Sequence, residues 1–121
     1  MGRTILIVDD SATLRNSLRA LFEDHLGATC QEACNGQEAI ERAAGIRPDL
    51  IVLDLSMPVM NGLEAAPQLL RLLPSVQIVM FSSFDDRLVL GAASAVGISA
   101  VVNKSEAMQL LAVVRSKLAA A

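Results

Sequence analysis

The stretch Leu50-Ile51-Val52-Leu53 sets four large apolar residues in a row, two of them β-branched, and stops at a carboxylate, Asp54. A strand with one wet face alternates polar and apolar residues. A run with no polar face must be covered on both sides, which is the condition of strands inside parallel sheets. Pro58 and the Asn61-Gly62 pair then forbid the strand from continuing. Asp54 therefore stands at the carboxyl end of a buried strand, at the rim where open α/β sheets place ligands.

Strand and helix signals alternate along the rest of the chain in the same manner. Thr4 to Val8 is a continuous apolar run and reads as a central strand. Ser11 is placed to cap a helix in which Leu14, Leu18, Leu21 and Phe22 recur at helical spacing, and Gly27 ends it. Ala28 to Ala33 is a weaker strand whose Gln31 and Glu32 suit a sheet edge. A short helix follows from Asn35-Gly36, with Ala39, Ile40 and Ala43 inward, and Gly45 and Pro48 are expected to stop it. The strand Leu50 to Asp54 is third. The next helix, from about Gly62 to Leu73, contains Pro67, which removes a backbone donor and is expected to bend it. Val76 to Phe81 is the fourth strand. A loop through Ser82-Ser83-Phe84-Asp85-Asp86 leads to a helix of Ala, Leu and Val, Ile98 to Val102 is the fifth strand, and Ser105 caps a last helix carrying Leu110, Leu111, Val114 and Leu118.

Alternating βα units imply a parallel sheet with right-handed crossovers and helices on both faces. Five of them predict an α/β, flavodoxin-like (βα)5 three-layer sandwich with strand order 2-1-3-4-5. At 121 residues, residues 1–121 read as one domain with no output domain attached. Only three Phe and no Trp or Tyr stand among 53% hydrophobic residues, so the core must be aliphatic. Net charge is −3 and the ten Lys and Arg are scattered, which argues against direct nucleic-acid binding by this domain. The longest uncharged stretch, Leu88 to Asn103, is broken by glycines and serines and falls short of the roughly 20 apolar residues that span a bilayer. A soluble, cytoplasmic protein without a membrane partner is the expectation. Cys30 and Cys34, four apart on one strand, would lie about 13 Å apart, too far for a disulfide. Both read as free thiols, and His25 as a helix-end residue.

In a parallel sheet the strand ends share one edge, so Asp9-Asp10, Asp54, Ser82 and Asn103-Lys104 converge. An Asp after a strand is commonly a turn or cap residue, and Ser82 or Lys104 alone is an ordinary turn or surface residue. The set is different. Three carboxylates within a few ångströms require a positive charge among them. All-oxygen ligands without His or Cys select a hard ion, and Mg²⁺ tolerates a site with few protein ligands and several waters. Lys104 adds a point charge suited to a phosphate oxygen and Ser82 a hydroxyl donor, leaving Asp54 to act as nucleophile on a phosphoryl group.

Over essentially its whole length the sequence resembles a receiver domain of a bacterial two-component response regulator. The resemblance is carried by Ile5-Leu6-Ile7-Val8-Asp9-Asp10, by Asp54-Leu55-Ser56-Met57-Pro58-Val59-Met60-Asn61-Gly62, by Val79-Met80-Phe81-Ser82-Ser83 and by Lys104. It implies that Asp54 accepts a phosphoryl group from a sensor histidine kinase, a phosphotransfer protein or a small phosphodonor. It implies that Asp10, Asp54 and the backbone carbonyl of Ser56 bind Mg²⁺ (or Mn²⁺ as a substitute) directly, with Asp9 helping through water. Lys104 would pair with the phosphoryl oxygens, and Ser82 would swing toward the new phosphate and draw the following loop and the fourth helix after it. Such a chain catalyses only its own phosphorylation and dephosphorylation and is a switch rather than an enzyme. Homodimerisation on phosphorylation, through the first and last helices or through the fourth helix and fifth strand, stays open.

Three departures from the family pattern matter. Val101 stands where an aromatic residue usually turns inward on activation, so coupling must rest on Ser82 and backbone shifts. Ser105, not proline, follows the lysine, which, with Leu55-Ser56-Met57-Pro58 and Asn61-Gly62-Leu63-Glu64, is similar to the LuxR/NarL branch with its helix-turn-helix output. Bulky Phe84, flanking with Ser56 the path of hydrolytic water, predicts slow phosphate loss. The receiver part of a DNA-binding transcriptional regulator is therefore the first reading. A stand-alone receiver acting by protein contact, or as a phosphoryl shuttle, is the second. A flavin module would need phosphate-cradling loops where Asp9-Asp10-Ser11 stands, and a phosphatase a general acid at Ser56. Leu88 to Ile98 carries no charge; it is a small-residue surface helix or a docking face, which charges at Val89 or Ala93 would disrupt.

Overall fold

The computed structural model describes residues 2–83 and 87–120. Five strands and five helices alternate: β1 (Thr4–Val8), α1 (Ala12–Leu26), β2 (Thr29–Ala33), α2 (Gly36–Ile46), β3 (Leu50–Leu53), α3 (Gly62–Leu72), β4 (Gln77–Ser82), α4 (Arg87–Ala95), β5 (Ala100–Asn103) and α5 (Ala107–Ala120). All strand pairs are parallel and the order is β2-β1-β3-β4-β5, the flavodoxin-like (βα)5 architecture expected from the alternation.

The apolar runs divide by the strand period of two. Ile5, Ile7, Leu50, Val52, Val79, Phe81 and Val102 face Leu18 and Phe22 of α1 and Leu110, Leu111, Val114 and Leu118 of α5. Leu6, Val8, Ile51, Leu53, Ile78 and Met80 face the other way, onto the alanines of α2, α3 and α4. Burying each large aliphatic side chain contributes about 1.5–3 kcal/mol, so both faces of the central strands are needed. Ala93 of α4 is 1% exposed, whereas Leu88 is 84% exposed. Ala93 is thus part of the core, and the partner-facing role considered for it is corrected: Leu88 and Leu90 are exposed large hydrophobic residues of that helix.

Several boundaries differ from expectation. Helix α2 runs through Gly45 to Ile46 and ends on Arg47 in the left-handed region (φ 51), because tertiary packing of Ala39 and Ala43 outweighs the weak helix propensity of one glycine. Ser105 is not the cap of α5. Its hydroxyl donates to Asn103 Oδ1 at 2.8 Å, and the helix begins two residues later at Ala107. Strand β4 reaches Ser82, and β5 starts at Ala100 rather than Ile98. Helix α3 continues past Pro67, held at its start by a reciprocal capping box between Asn61 and Glu64. Ser11 and Gly27 cap α1 as the sequence suggests.

Strand β2 forms one sheet edge, where unpaired carbonyls need partners. Arg19 Nη1 donates to the Cys30 carbonyl at 2.7 Å, and Arg42 Nη1 donates to the Glu32 carbonyl. Cys30 and Cys34 are both free thiols. Among the described residues no helix is long and apolar enough to cross a membrane.

Candidate functional site

Three of the polar residues at the carboxyl edge of the sheet are placed by the last rung of a strand ladder. Asp9 N–H donates to the Ala33 carbonyl of β2 at 3.1 Å, Asp54 N–H to Val8 of β1 at 3.0 Å, and Lys104 N–H to Ser82 of β4 at 2.9 Å. Register therefore fixes these backbones before any side chain makes a contact. The side chains then meet. One carboxylate oxygen from each of Asp9, Asp10 and Asp54 lies within 4.8 Å of the others. Lys104 Nζ lies 2.9 Å from Asp9 Oδ2 and 3.2 Å from Asp54 Oδ2. Asp9 and Asp54 are buried, whereas Asp10 is exposed at the mouth.

One ammonium serves two buried carboxylates. Burial would lower the Lys104 pKa, but its hydrogen bond to Asp9 and the charges of Asp54 and Asp9 outweigh that and hold it above the ordinary lysine range. Among the described residues, Lys104 is the one cation that reaches Asp54. Burial and the neighbouring Asp9 charge raise its pKa above the usual carboxylate value, against the pull of Lys104 and of a hydrogen bond from the Ser56 backbone. Among the described residues, three carboxylates and one ammonium leave two negative charges unbalanced, the charge of one divalent ion. The donors are all oxygen and Asp10 leaves the site open to water, so the cluster fits Mg²⁺. Asp9 already accepts from Ser11 N–H at 2.9 Å and from Lys104, and Asp54 from Lys104 and the Ser56 backbone, so exposed Asp10 is the least encumbered carboxylate of the three.

The loop after β3 forms one wall. Asp10, Leu55, Ser56, Met57, Pro58 and Asn61 line an open depression beside the cluster. Gly62 N–H donates to the Leu55 carbonyl at 2.9 Å, and a Cβ on Gly62 would overlap the Asp54 carbonyl oxygen. Only glycine lets α3 begin this close to the acidic strand end. Val59 adopts a left-handed φ of 71° in a three-residue turn in which Met60 N–H donates to the Pro58 carbonyl at 2.7 Å.

Of the remaining residues singled out in the sequence, Ser82 is fully buried at the end of β4, opposite Asn103 in register. Val101 is half-buried against the α2–α3–α4 side of the sheet. Phe84, on which the water-path expectation rests, lies with Asp85 and Asp86 outside the described residues. One residue was not singled out at all. Arg15 of α1 donates from Nη1 to the Asp9 carbonyl at 2.6 Å and from Nε to Glu32 at 2.9 Å. An arginine on the second turn of an amphipathic helix carries no signal in sequence that separates it from a solvated charge.

A buried carboxylate beside an ammonium and a hard-cation site is equipped to attack a phosphorus atom, because both positive groups offset the repulsion between anions. Comparison with known proteins agrees. The family described as "Response regulator receiver domain" matches residues 5–115. The chemotaxis protein CheY of Thermotoga maritima is 35% identical over 83 residues, covering 69% of each chain. The solved structure of Vibrio cholerae chemotaxis protein CheY4 superposes with a TM-score of 0.89 at 26% identity, over 96% of this chain and 98% of that one. A two-component response regulator of the LuxR family from Aurantimonas sp. SI85-9A1 gives a TM-score of 0.92 at 27% identity, over 99% of this chain and 87% of that one. The chain also matches protein-glutamate methylesterases, of which it spans 20–22% of the length.

Proposed function

The chain belongs to the response regulator receiver domain family, and from that premise we propose that it is a phosphorylation-operated signalling switch whose phosphoryl acceptor is Asp54. The observation that carries this reading is the Lys104 ammonium bridging Asp9 and Asp54 beside the three-carboxylate cluster. One Asp54 oxygen attacks the phosphorus of a phosphohistidine on a kinase or phosphotransfer protein. The P–N bond breaks, its electron pair returns to the imidazole ring, and an acyl phosphate forms on Asp54. Asp10, Asp54 and the Ser56 carbonyl would hold Mg²⁺, with Asp9 assisting through water, and an ion held there would supply positive charge to offset that of the phosphoryl oxygens. Lys104 exchanges its contact with Asp54 for one with the new phosphoryl oxygens. Ser82, buried at the adjoining strand end, donates its hydroxyl to that group and draws the following loop and α4. With Val101 in place of an aromatic residue, this coupling runs through Ser82 and the backbone.

The output we favour is contact with another protein, or passage of the phosphoryl group onward, by a cytoplasmic receiver. What supports it is the CheY4 chain, matched over 98% of its own length and so carrying little beyond this fold. The second reading, the receiver part of a DNA-binding regulator, is favoured by the LuxR-family structure at 27% identity and by Ser105 after the lysine.

Intact mass after incubation with acetyl phosphate and Mg²⁺ tests the site. The wild type gains one phosphoryl group and Asp54→Asn gains none; equal gain by both sinks the assignment. Return of the group from the labelled chain to a phosphotransfer histidine separates shuttle from regulator.

A further inference from the structure

We propose that Arg15 is a positioning residue for the cation-binding corner, holding the Asp9–Asp10 peptide from behind and so fixing where Asp10 presents its carboxylate. The inference rests on the Mg²⁺ reading above. Every polar group of Asp9 is engaged. Its N–H donates to the Ala33 carbonyl at 3.1 Å, Oδ1 accepts from Ser11 N–H at 2.9 Å, and Oδ2 meets Lys104 at 2.9 Å. Its carbonyl oxygen accepts from Arg15 Nη1 at 2.6 Å.

That last oxygen belongs to the planar unit whose other half is the Asp10 nitrogen, so restraining it orients the backbone from which the Asp10 side chain departs. Asp10 is the exposed carboxylate of the cluster, and its direction depends on that backbone.

Arg15 is itself held. Its Nε donates to Glu32 Oε1 at 2.9 Å, and Glu32 Oε2 accepts from Arg19 Nε at 2.9 Å and Nη2 at 2.8 Å. Arg19 is tied in turn to the Cys30 carbonyl at 2.7 Å. A chain of planar, charge-assisted bonds thus runs from edge strand β2 to the acidic corner. A lysine at position 15 carries one compact donor group and cannot reproduce the fork that joins Glu32 to the Asp9 carbonyl.

The long-range charge of Arg15 works in the opposite sense to its positioning. A cation near the site repels Mg²⁺, so deleting it on Coulombic grounds alone would tighten metal binding. Loss of positioning weakens it, by about tenfold where an outer-shell partner is removed.

Calorimetric titration of Mg²⁺ into wild type, Arg15→Lys, Arg15→Ala and Arg42→Ala decides, with melting in EDTA as the measure of folding. Arg42 also reaches Glu32, at its carbonyl, but among the described residues it forms no hydrogen bond or ion pair with Asp9. The expected result is a Mg²⁺ dissociation constant raised about tenfold in both Arg15 variants and unchanged in Arg42→Ala. The acetyl phosphate rate should recover toward the wild-type value at saturating Mg²⁺. Arg15→Lys keeps the charge and serves if Arg15→Ala does not fold. Arg15 variants that bind Mg²⁺ as well as or better than wild type overturn the inference alone. A wild-type chain that binds no Mg²⁺ overturns the proposed function and this inference with it.

Discussion

The backbone carbonyl of Asp54 and the α-carbon of Gly62 approach so closely that a single methyl group on Gly62 would overlap the oxygen. The start of α3 is therefore packed directly onto the peptide that carries the candidate phosphoryl acceptor. Backbone cannot move aside as a flexible side chain can, so this contact ties helix position to carboxylate position.

Gly62→Ala should destabilise the fold by about 1–3 kcal/mol, the range for overpacking a tight site, and should slow phosphorylation by acetyl phosphate. Gly45→Ala is the counterpart. A Cβ there meets nothing within 4 Å, inside α2, so the same change should stabilise by about 0.5–1 kcal/mol. Urea unfolding of both variants measures the contrast.

The raised pKa of Asp54 fixes a pH trend for the metal-free protein. The folded chain binds this proton more tightly than the unfolded chain does. The resulting stability is full below the ordinary value of 3.8 and is lost as pH rises through the higher folded value. In EDTA, Asp54→Asn should remove that part of the pH dependence and melt above wild type at neutral pH. Mg²⁺ should raise the wild-type melting temperature and leave the variant nearly unmoved. Melting curves across pH, with and without Mg²⁺, provide the check.

Val59 is 80% exposed and holds a left-handed φ of 71°. A β-branched residue there is strained by about 1–2 kcal/mol and has little packing to lose. Val59→Gly should stabilise the protein by about 1 kcal/mol, since glycine has no Cβ to strain at positive φ in a γ-turn. An unchanged urea midpoint would show that the loop relaxes around valine.

The two thiols should differ in reactivity. Cys30 is buried, and burial, with the nearby Glu23 charge, pushes its pKa up to about 11. Cys34 is only partly covered. Iodoacetamide at mildly alkaline pH should alkylate native protein at Cys34 first and reach Cys30 on unfolding. Peptide mapping at early times distinguishes the sites.

Helix α4 offers a sharp pair. Leu88→Asp lies on the exposed face and should change stability by no more than about 0.5 kcal/mol. Ala93→Asp buries an unpaired charge against the sheet and should cost about 3–5 kcal/mol. Loss of a binding partner in Ala93→Asp would then report unfolding rather than a docking surface.

Much of this was legible in the residue order. Continuous apolar runs marked central strands, Gln31 and Glu32 marked an edge, and Ser11 and Gly27 marked helix ends, because each rests on local geometry or solvent contact. Boundaries governed by packing or competing hydrogen bonds were not legible. Gly45 reads as a stop yet lies inside α2, where buried alanines decide, and Ser105 reads as a cap yet donates to Asn103.

The sequence by itself determined that Asp9, Asp10, Asp54, Ser82 and Lys104 end their strands, and alternation of strand and helix put those ends on one edge. Only the tertiary structure decided that one ammonium would bridge Asp9 and Asp54, and that Arg15 would reach the Asp9 carbonyl from α1. The reason is one of range. A strand end is written in neighbouring residues, whereas a contact at hydrogen-bond distance depends on register and helix placement set by the whole core.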